Sequence, residues 1–332
     1  MPNATSAREC DGRSLISIVV PTHNETANLS ELYSRIVAAV AQRDGFDFEL
    51  IFADDSTDET PALIAELAGR DPRVKMIRFS RSFGQAVAIA AGLERASGKA
   101  AIMMDADLQD PPEAIPLLLD EWKKGNKLVY VERKSSSSSK SYFLAAQVFY
   151  KLLKVVSDTP IPTDAGEFRL MDRQLIDFMK GLKEHSRFIR GLSVWPGFPS
   201  SKIHIVRAER VRGQTNYSLR RSLLVAVDGL ISFSVKPLRA AVVLGLMMSA
   251  LSVVGVLYAV ILRLFTPYWS PGWTLLFSAV LLISGMQFVS IGILGEYIGR
   301  IFMEVQGRPL YVVESTIGFE PPADIPPAPN HE

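Results

Sequence analysis

The stretch AAIMMDADLQDPPE, Ala100–Glu113, decides how the chain is read. Its apolar, strand-like opening runs into two aspartates, Asp105 and Asp107, one residue apart. Asp110 and Pro111-Pro112-Glu113 follow as a turn that starts a helix. Two carboxylates leaving a hydrophobic strand at this spacing can bind a hard divalent cation whose other ligands are phosphate oxygens. A lone D-x-D is common by chance, so its surroundings carry the weight.

Those surroundings repeat one pattern. SLISIVVP (Ser14–Pro21) is β-rich, and an apolar helical pattern follows through Leu29, Leu32, Ile36 and Val40. Asn28 with Glu31 three residues on predicts a capping box at the start of that helix. FELIFA (Phe48–Ala53) is the next strand and runs into DDSTDET, placing Asp54 and Asp55 at its end and Asp58 just beyond. A helix through Leu63, Ile64 and Leu67 leads to VKMIRF (Val74–Phe79), then to a helix around Ala86–Arg95. KLVYVE (Lys127–Glu132) reads as a further strand. Strands alternating with short helices indicate an α/β fold with a mostly parallel, Rossmann-like sheet, and ligands of such sheets lie beyond the strand C-termini. Carboxylates there can accept hydrogen bonds from a base or a ribose; an acidic surface turn is the competing reading for Asp54 and Asp55. RKSSSSSK (Arg133–Lys140) reads as a polar mobile loop, followed by a helix around Phe143–Val156. Secondary structure from DAGEFRLMDR through FIRGLSVWPGFPS stays open.

Composition removes several classes. The 332 residues carry 36 Lys+Arg against 35 Asp+Glu, so no basic excess points to nucleic acid. One cysteine, Cys10, excludes an intrachain disulfide framework and any Cys-cluster metal site. There is no G-x-G-x-x-G after the first strand, no P-loop, no H-E-x-x-H and no G-x-S-x-G elbow. His23 follows the first strand and borders the same region, where a structural role is at least as good a reading.

The apolar surplus lies late in the chain. Ala240–Leu262 and Thr274–Gly295 are uncharged runs, and a hydrocarbon core of about 30 Å needs about 20 helical residues. Tyr268, Trp269 and Trp273 suit the interface at the turn between them. Arg220, Arg221, Lys236 and Arg239 precede the first run, Arg300 and Arg308 follow the second, and only Arg263 borders the turn. The positive-inside bias therefore predicts a multi-pass hairpin with both termini and the α/β domain in the cytoplasm. The N-terminus has no h-region, so no signal peptide is expected. Leu219, Leu223, Val227, Leu230 and Ile231 recur at helical spacing, as in an amphipathic helix on the membrane. The expected division is a flexible N-terminus (1–14), a catalytic domain (15–205), a juxtamembrane region (206–236), two transmembrane helices (237–300, spans about 240–262 and 274–295) and a cytoplasmic tail (301–332).

PTHNETANL (Pro21–Leu29), ADDSTDET (Ala53–Thr60), FSRSFGQAVAIAAGL (Phe79–Leu93) and MDADLQDPPE (Met104–Glu113) resemble family 2 glycosyltransferases of the GT-A fold. DAGEFRLMDR (Asp164–Arg173), FIRGL (Phe188–Leu192), the VRGQTNYSL segment and SVKPLR (Ser234–Arg239), with the hairpin, narrow the resemblance to polyprenyl-phosphate glycosyltransferases. Within them the chain looks like the dolichol-phosphate mannosyltransferase-like and bacterial GtrB-type bactoprenol glucosyl enzymes.

The resemblance implies inverting transfer of a hexose from a nucleotide sugar to polyprenyl (undecaprenyl) phosphate at the inner (cytoplasmic) membrane, assisted by Mg²⁺ or Mn²⁺. It implies nucleotide contacts at Pro21, Asn24, Glu25, Asp54, Asp55 and Asp105. The metal falls to Asp107 with Asp105, and catalytic work to Asp107, Asp164, Glu167 and Arg169. Arg133, Lys134, Lys140 and Arg169 are the expected acceptor-phosphate cations, with Gln109, Asp110, Ser234 and Arg239 in support. Glu167 is expected to orient the acceptor or act as a base, with an ion pair to Arg169 as the competing reading.

Three positions depart from the family pattern. DDSTD lacks the glycine of DDGS-x-D and is a residue shorter, Ser82 replaces the asparagine of R-N-F-G, and Glu167 replaces an aspartate. UDP-glucose is the first donor expected, with GDP-mannose, UDP-GlcNAc and UDP-galactose as alternatives. A homo-oligomer, a tetramer by family analogy, is expected, and Gly295 and Gly299 form a small-xxx-small pair. A separate flippase and a downstream glycosyltransferase would complete the pathway. A processive polysaccharide synthase and a non-catalytic membrane scaffold are the other classes.

Overall fold

The computed structural model describes residues 9–10, 12–133, 165–182, 184, 188–205, 236–265 and 272–319. The chain forms two units, the first holding a sheet of nine described strands. In chain order these are β1 (Glu9–Cys10), β2 (Arg13–Thr22), β3 (Phe46–Asp54), β4 (Val74–Phe79), β5 (Ala100–Met103), β6 (Leu128–Arg133), β7 (Ala165–Asp172), β8 (Ser200–Ile205) and β9 (Val313–Ile317). The strand order is β8-β6-β7-β5-β2-β3-β4-β9, with β1 pairing β2. The expected α/β sheet is present: β5, β2, β3 and β4 run parallel to one another. Each carries its chain back through a helix, α1 (Leu29–Ala41), α2 (Thr60–Arg70) and α3 (Gln85–Arg95). A short 3-10 turn (Pro112–Ala114) leads into α4 (Ile115–Lys123).

Both faces of the central strands are covered, and their sequences say why. Ile16, Ile18 and Val20 alternate with Val19 along β2, and all four are buried. The first three join the cluster made by Leu29, Leu32 and Ile36 of α1 with Phe48, Leu50 and Phe52 of β3. Each such buried side chain contributes roughly 1.5–3 kcal/mol of transfer free energy. On the opposite face α3 approaches β2 so closely that a Cβ at Gly92 would collide with Val19, which ties that glycine to helix–strand packing.

The parallel set is interrupted where the sequence was hard to read. β7 lies antiparallel between β5 and β6, with Met103 opposite Arg169 and Ile102 opposite Leu170. Its first residues therefore reach the end of the sheet where β5 delivers Asp105 and Asp107. α5 (Arg173–Gly181) and α6 (Ile189–Val194) follow it.

Three local expectations change. Asn28 makes no side-chain cap on α1; its amide donates to Glu25 Oε2 at 2.7 Å instead, so the capping box does not form. Residues 1–14 are not all apart from the sheet, because Glu9 and Cys10 pair with Ser14 and Arg13. The segment after the apolar runs is more than a tail: β9 adds an antiparallel edge to β4. Arg78 Nε donates to Glu314 Oε2 at 2.9 Å, and Tyr311 Oη donates to Glu94 Oε2 at 2.6 Å while its ring meets Phe79 edge-on.

The second unit contains α7 (Lys236–Phe265) and α8 (Trp273–Gln306), which pack against each other. By length and composition one described stretch, Leu282–Gln306, suffices to cross a membrane, and α7 contributes a shorter apolar stretch, Ala241–Gly255. Gly307, at φ 60°, ends α8 in the left-handed conformation that glycine adopts without steric cost. The helices expected around Phe143–Val156 and Leu219–Ile231, the serine-rich loop, and Tyr268 and Trp269 of the turn lie outside the described residues. So do Lys134, Lys140, Asp164 and Ser234.

Candidate active site

The C-terminal ends of β2, β3 and β5 converge, and the loops leaving them carry most of the residues singled out in the sequence. Thr22 and Asp54 are register partners on β2 and β3. The Asp54 carboxylate is 0% exposed and accepts hydrogen bonds at Oδ1 from Thr22 (2.9 Å) and Ser56 (2.6 Å). Among the described residues its Oδ2 has no hydrogen-bond partner, with Arg78 Nη1 3.9 Å away. Burial pushes the carboxyl above the ordinary range, and the bonds from Ser56 and Thr22 and the charge of Arg78 only partly offset it. Asp54 is thus buried at the C-terminal end of β3, where the resemblance implies a nucleotide contact. Asp55, next in the chain, bonds His23 Nδ1 at 2.7 Å.

The shortened DDSTD turn closes on Asn24. This residue sits at φ 58°, in the left-handed region that asparagine tolerates. Its Oδ1 accepts from the backbone N–H of Thr57 (2.9 Å) and Asp58 (3.3 Å), and its own N–H donates to Ser56 Oγ at 2.9 Å. A side-chain amide on the facing loop therefore satisfies the turn that lacks the family's glycine. Asp58 ties the same loops, accepting from Thr26 Oγ1 (2.6 Å) and the Thr60 N–H (3.0 Å). Burial would raise its carboxyl, but these bonds outweigh it and hold it low. Pro21 lies beside Ala53 at the strand ends. Glu25 donates its N–H to Thr60 Oγ1. Burial raises its carboxyl against the bond from Asn28, and the negative charges of Asp107 and Asp58 raise it further.

On the β5 side, Asp105 and Asp107 are half-buried while Met104, Ala106 and Leu108 between and beside them are buried. Both aspartates therefore keep part of their surface open to solvent. Gln85, at the start of α3, donates to Asp105 Oδ1 at 2.6 Å, and the Gln109 N–H donates to Asp107 Oδ1 at 3.1 Å. Leu108 holds φ 59°, a conformation costing a bulky residue about 1–3 kcal/mol and kept here by its burial. Gln109 and Asp110 are buried beneath the turn.

Among the described residues no three His, Cys, Asp or Glu side chains form a metal cage. The donor set at the turn is two carboxylates, oxygen only, facing the repelling charge of Glu25. That set fits Mg²⁺ or Mn²⁺ completed by substrate phosphate oxygens and water, and fits no soft metal.

β7 adds the last group. Glu167 lies on it two residues before Arg169, the last residue paired with β5. Glu167 pairs with Arg190 Nε at 2.6 Å and lies 3.7 Å from Arg169 Nη2. Arg169, at 2% exposure, donates to Ser193 Oγ (2.9 Å) and the Gly166 carbonyl (2.7 Å). The ion pair between Glu167 and Arg169 is therefore the arrangement observed, with Arg169 buried where the resemblance implies an acceptor-phosphate cation. Arg190, Ser193, Gln85, Thr22 and Ser56 gained no role from sequence. Arg190, Gln85, Thr22 and Ser56 stand inside quoted motifs, FIRGL, FSRSFGQAVAIAAGL, PTHNETANL and ADDSTDET, which is the available signal. Arg133 ends β6, and Arg239 is exposed on α7 in the other unit.

Known proteins match this chain along nearly its whole length. The family described as glycosyl transferase family 2 matches residues 17–179, and the GtrB C-terminal hairpin matches residues 236–301. The chain is 42% identical over 307 residues to the uncharacterized glycosyltransferase YkcC of Bacillus subtilis, spanning 92% of this chain and 94% of that protein. It is 36% identical over 303 residues to the SfII prophage-derived bactoprenol glucosyl transferase of Shigella flexneri, spanning 91% and 98%. Among solved structures, the mannosyltransferase PcManGT from Pyrobaculum calidifontis, in complex with GDP-Man and Mn²⁺, aligns at 16% identity over 90% of this chain and 88% of that one, with a TM-score of 0.41. The two family matches and the relatives' full-length agreement place sheet and hairpin in one lineage: the chain belongs to glycosyltransferase family 2, with an α/β domain of the GT-A type and a GtrB-type C-terminal hairpin.

Proposed function

We propose that the chain transfers a hexose from a nucleotide sugar, UDP-glucose first, to undecaprenyl phosphate at the cytoplasmic face of the inner membrane, with inversion. The observation that carries this reading is the 36% identity to a bactoprenol glucosyl transferase across 98% of that protein, hairpin included. In the reaction an acceptor phosphate oxygen forms a bond to the anomeric carbon. The bond from that carbon to the donor diphosphate breaks, and the nucleoside diphosphate leaves with the electron pair. The acceptor is anionic near neutral pH, so alignment and charge neutralisation matter more than a strong base.

The loops of Pro21–Glu25 and Asp54–Asp58 frame the base and ribose. Mg²⁺ or Mn²⁺ held by Asp107 with Asp105 would neutralise charge on the departing diphosphate. Glu167, fixed by Arg169 from behind and Arg190 from the side, orients the acceptor. Arg190, whose side chain is 35% exposed, is the cation best placed to meet its phosphate, joined by Arg133, Lys134 and Lys140. Asp164 precedes Glu167 in the same sequence motif and joins it in this proposal, and Ser234 and Arg239 serve the juxtamembrane approach. In this reading α7 and α8 both span the bilayer with their ends in the cytoplasm, which keeps the domain where the lipid's head emerges. Their exposed apolar side chains, Leu246, Leu257, Phe288 and Ile298 among them, suit lipid. Homo-oligomerisation through this unit, a separate flippase and a downstream glycosyltransferase belong to the same proposal.

The test is purified full-length protein in lipid with undecaprenyl phosphate, Mg²⁺ or Mn²⁺ and a panel of nucleotide sugars, read by the mass of the lipid product. A hexosyl lipid from UDP-glucose is expected. Product from GDP-mannose or UDP-GlcNAc alone would move the donor, and no lipid product from any donor would overturn the function.

A further inference from the structure

We propose that Glu314, brought to the sheet by the last described strand, is a positioning residue for the donor pocket, acting through Arg78 on Asp54. Thr22, Asp54 and Arg78 are register neighbours on β2, β3 and β4, at the pocket end of each strand. β9 extends the row: Arg78 pairs with Ser315 and Phe79 with Val313, and the irregularity between them leaves Glu314 to meet the guanidinium. The result is a continuous polar line, Glu314–Arg78–Asp54, that ends on Thr22 and Ser56. Ser56 in turn accepts the N–H of Asn24, the residue that closes the donor-side turn.

Asp54 is the weak point of that line. Its Oδ2 is buried without a hydrogen bond among the described residues, and Arg78 Nη1 stands 3.9 Å from it. A guanidinium at that distance balances charge without fixing the carboxylate, so its position depends on what holds it from the other side. Glu314 does this with a 2.9 Å bond, and the Ser80 N–H bond to the Val312 carbonyl anchors the strand beside it. Released, Arg78 would either collapse onto Asp54 or turn outward, and each motion disturbs the bonds to Thr22 and Ser56. The segment that follows the second apolar helix in the chain thereby reaches the floor of the donor site.

This inference rests on the reading of the β2 and β3 loops as a nucleotide pocket, so the test uses binding rather than turnover. UDP and GDP are titrated calorimetrically into the full-length protein in detergent with Mn²⁺, for wild type, Glu314→Gln, Tyr311→Phe and Asp54→Asn. Glu314→Gln is expected to weaken nucleotide binding about tenfold, the scale of coupling within one polar network, and to add little in the Asp54→Asn background. Tyr311→Phe loosens the same segment at Glu94, away from Asp54, and is expected to leave affinity within about twofold. In the transfer assay the donor KM should rise while the undecaprenyl-phosphate KM stays. Unchanged affinity in Glu314→Gln, an equal loss in Tyr311→Phe, or additive effects with Asp54→Asn would each overturn the inference while leaving the pocket reading intact. A wild type that binds neither nucleotide would overturn both.

Discussion

Glu49 and Asp54 are both buried carboxylates on β3, and they are treated in opposite ways. Glu49, 3% exposed, accepts from Ser17 Oγ (2.5 Å), the Ser97 N–H (2.7 Å) and Ser97 Oγ (2.8 Å) at Oε1, and from Lys75 Nζ (2.7 Å) at Oε2. Burial favours its neutral form, yet Lys75, Ser17 and Ser97 outweigh burial and hold the carboxyl low. Asp54 accepts from Thr22 and Ser56, its Oδ2 has no hydrogen bond among the described residues, and its carboxyl is raised. The odd spacing puts the two on opposite faces of the sheet. More to the point, one sits toward the strand's start and the other at its pocket end. A carboxylate with donors on both oxygens belongs to the framework. One left short of partners at the loop end of the strand belongs to a site that something else must complete, and Asp107 beyond β5, half-exposed and facing Glu25, is further along the same series.

The sharpest test of that series is at its exposed end. Asp107→Asn keeps the shape and the Gln109 bond but removes the charge meant for a cation. Turnover is expected to fall about 10²–10³-fold, the usual loss when one preorganised electrostatic group is removed from a reacting centre. The melting temperature should stay near wild type. Near-normal transfer with Mg²⁺ or Mn²⁺ controlled would remove Asp107 from the site and leave the series without its functional member.

At the framework end the effect should move from activity to stability. Glu49→Gln leaves Lys75 without its charged partner and is expected to cost about 2 kcal/mol at neutral pH, as for a lost charged hydrogen bond. The donor KM should be unaffected. Because the folded carboxyl is held below its unfolded value of 4.5, wild type draws this stability above that pH and loses it as pH falls through the lower folded value. The gap between variant and wild type should therefore narrow in acid. Thermal unfolding of the detergent-solubilised protein across pH reads it, and a gap that widens below pH 4.5 would contradict the assignment.

What the sequence discloses follows the same division between local and distant partners. Central strands, their covering helices and the acid pairs at their ends announce themselves through periodicity and through carboxylates placed at strand ends, all within a few residues. β9 does not: Val313–Ile317 gains its meaning only by pairing with β4 across the whole hairpin, and no local pattern in VESTI names that partner. Arg169 reads as a phosphate ligand because an arginine in an acidic motif usually finds one. It is buried instead, and donates to Ser193 of α6, folded back from beyond the strand. Asn28 illustrates the converse, a correct capping pattern overruled when Glu25 takes the amide. The missing glycine of DDSTD is resolved by Asn24 on a different loop, a pairing visible only once β2 and β3 lie side by side.

The smallest effect is the most discriminating. Asp54→Asn removes a charge that the fold holds at a cost, so neutral-pH stability should change by less than about 1 kcal/mol, well below the Glu49 loss. The sign of its pH dependence must also be reversed. A folded carboxyl raised above its unfolded value of 3.8 contributes most below that pH, and its contribution is lost as pH rises through the folded value. Asparagine does not titrate, so the variant should gain on wild type between acid and neutral pH, while Glu49→Gln falls behind over its own window. Nucleotide affinity should drop even where stability does not, because the Ser56 and Thr22 bonds then orient a neutral amide beside Arg78. Parallel stability curves for the two variants would mean that both carboxylates serve the framework, and the pocket end of β3 would lose its claim to be different.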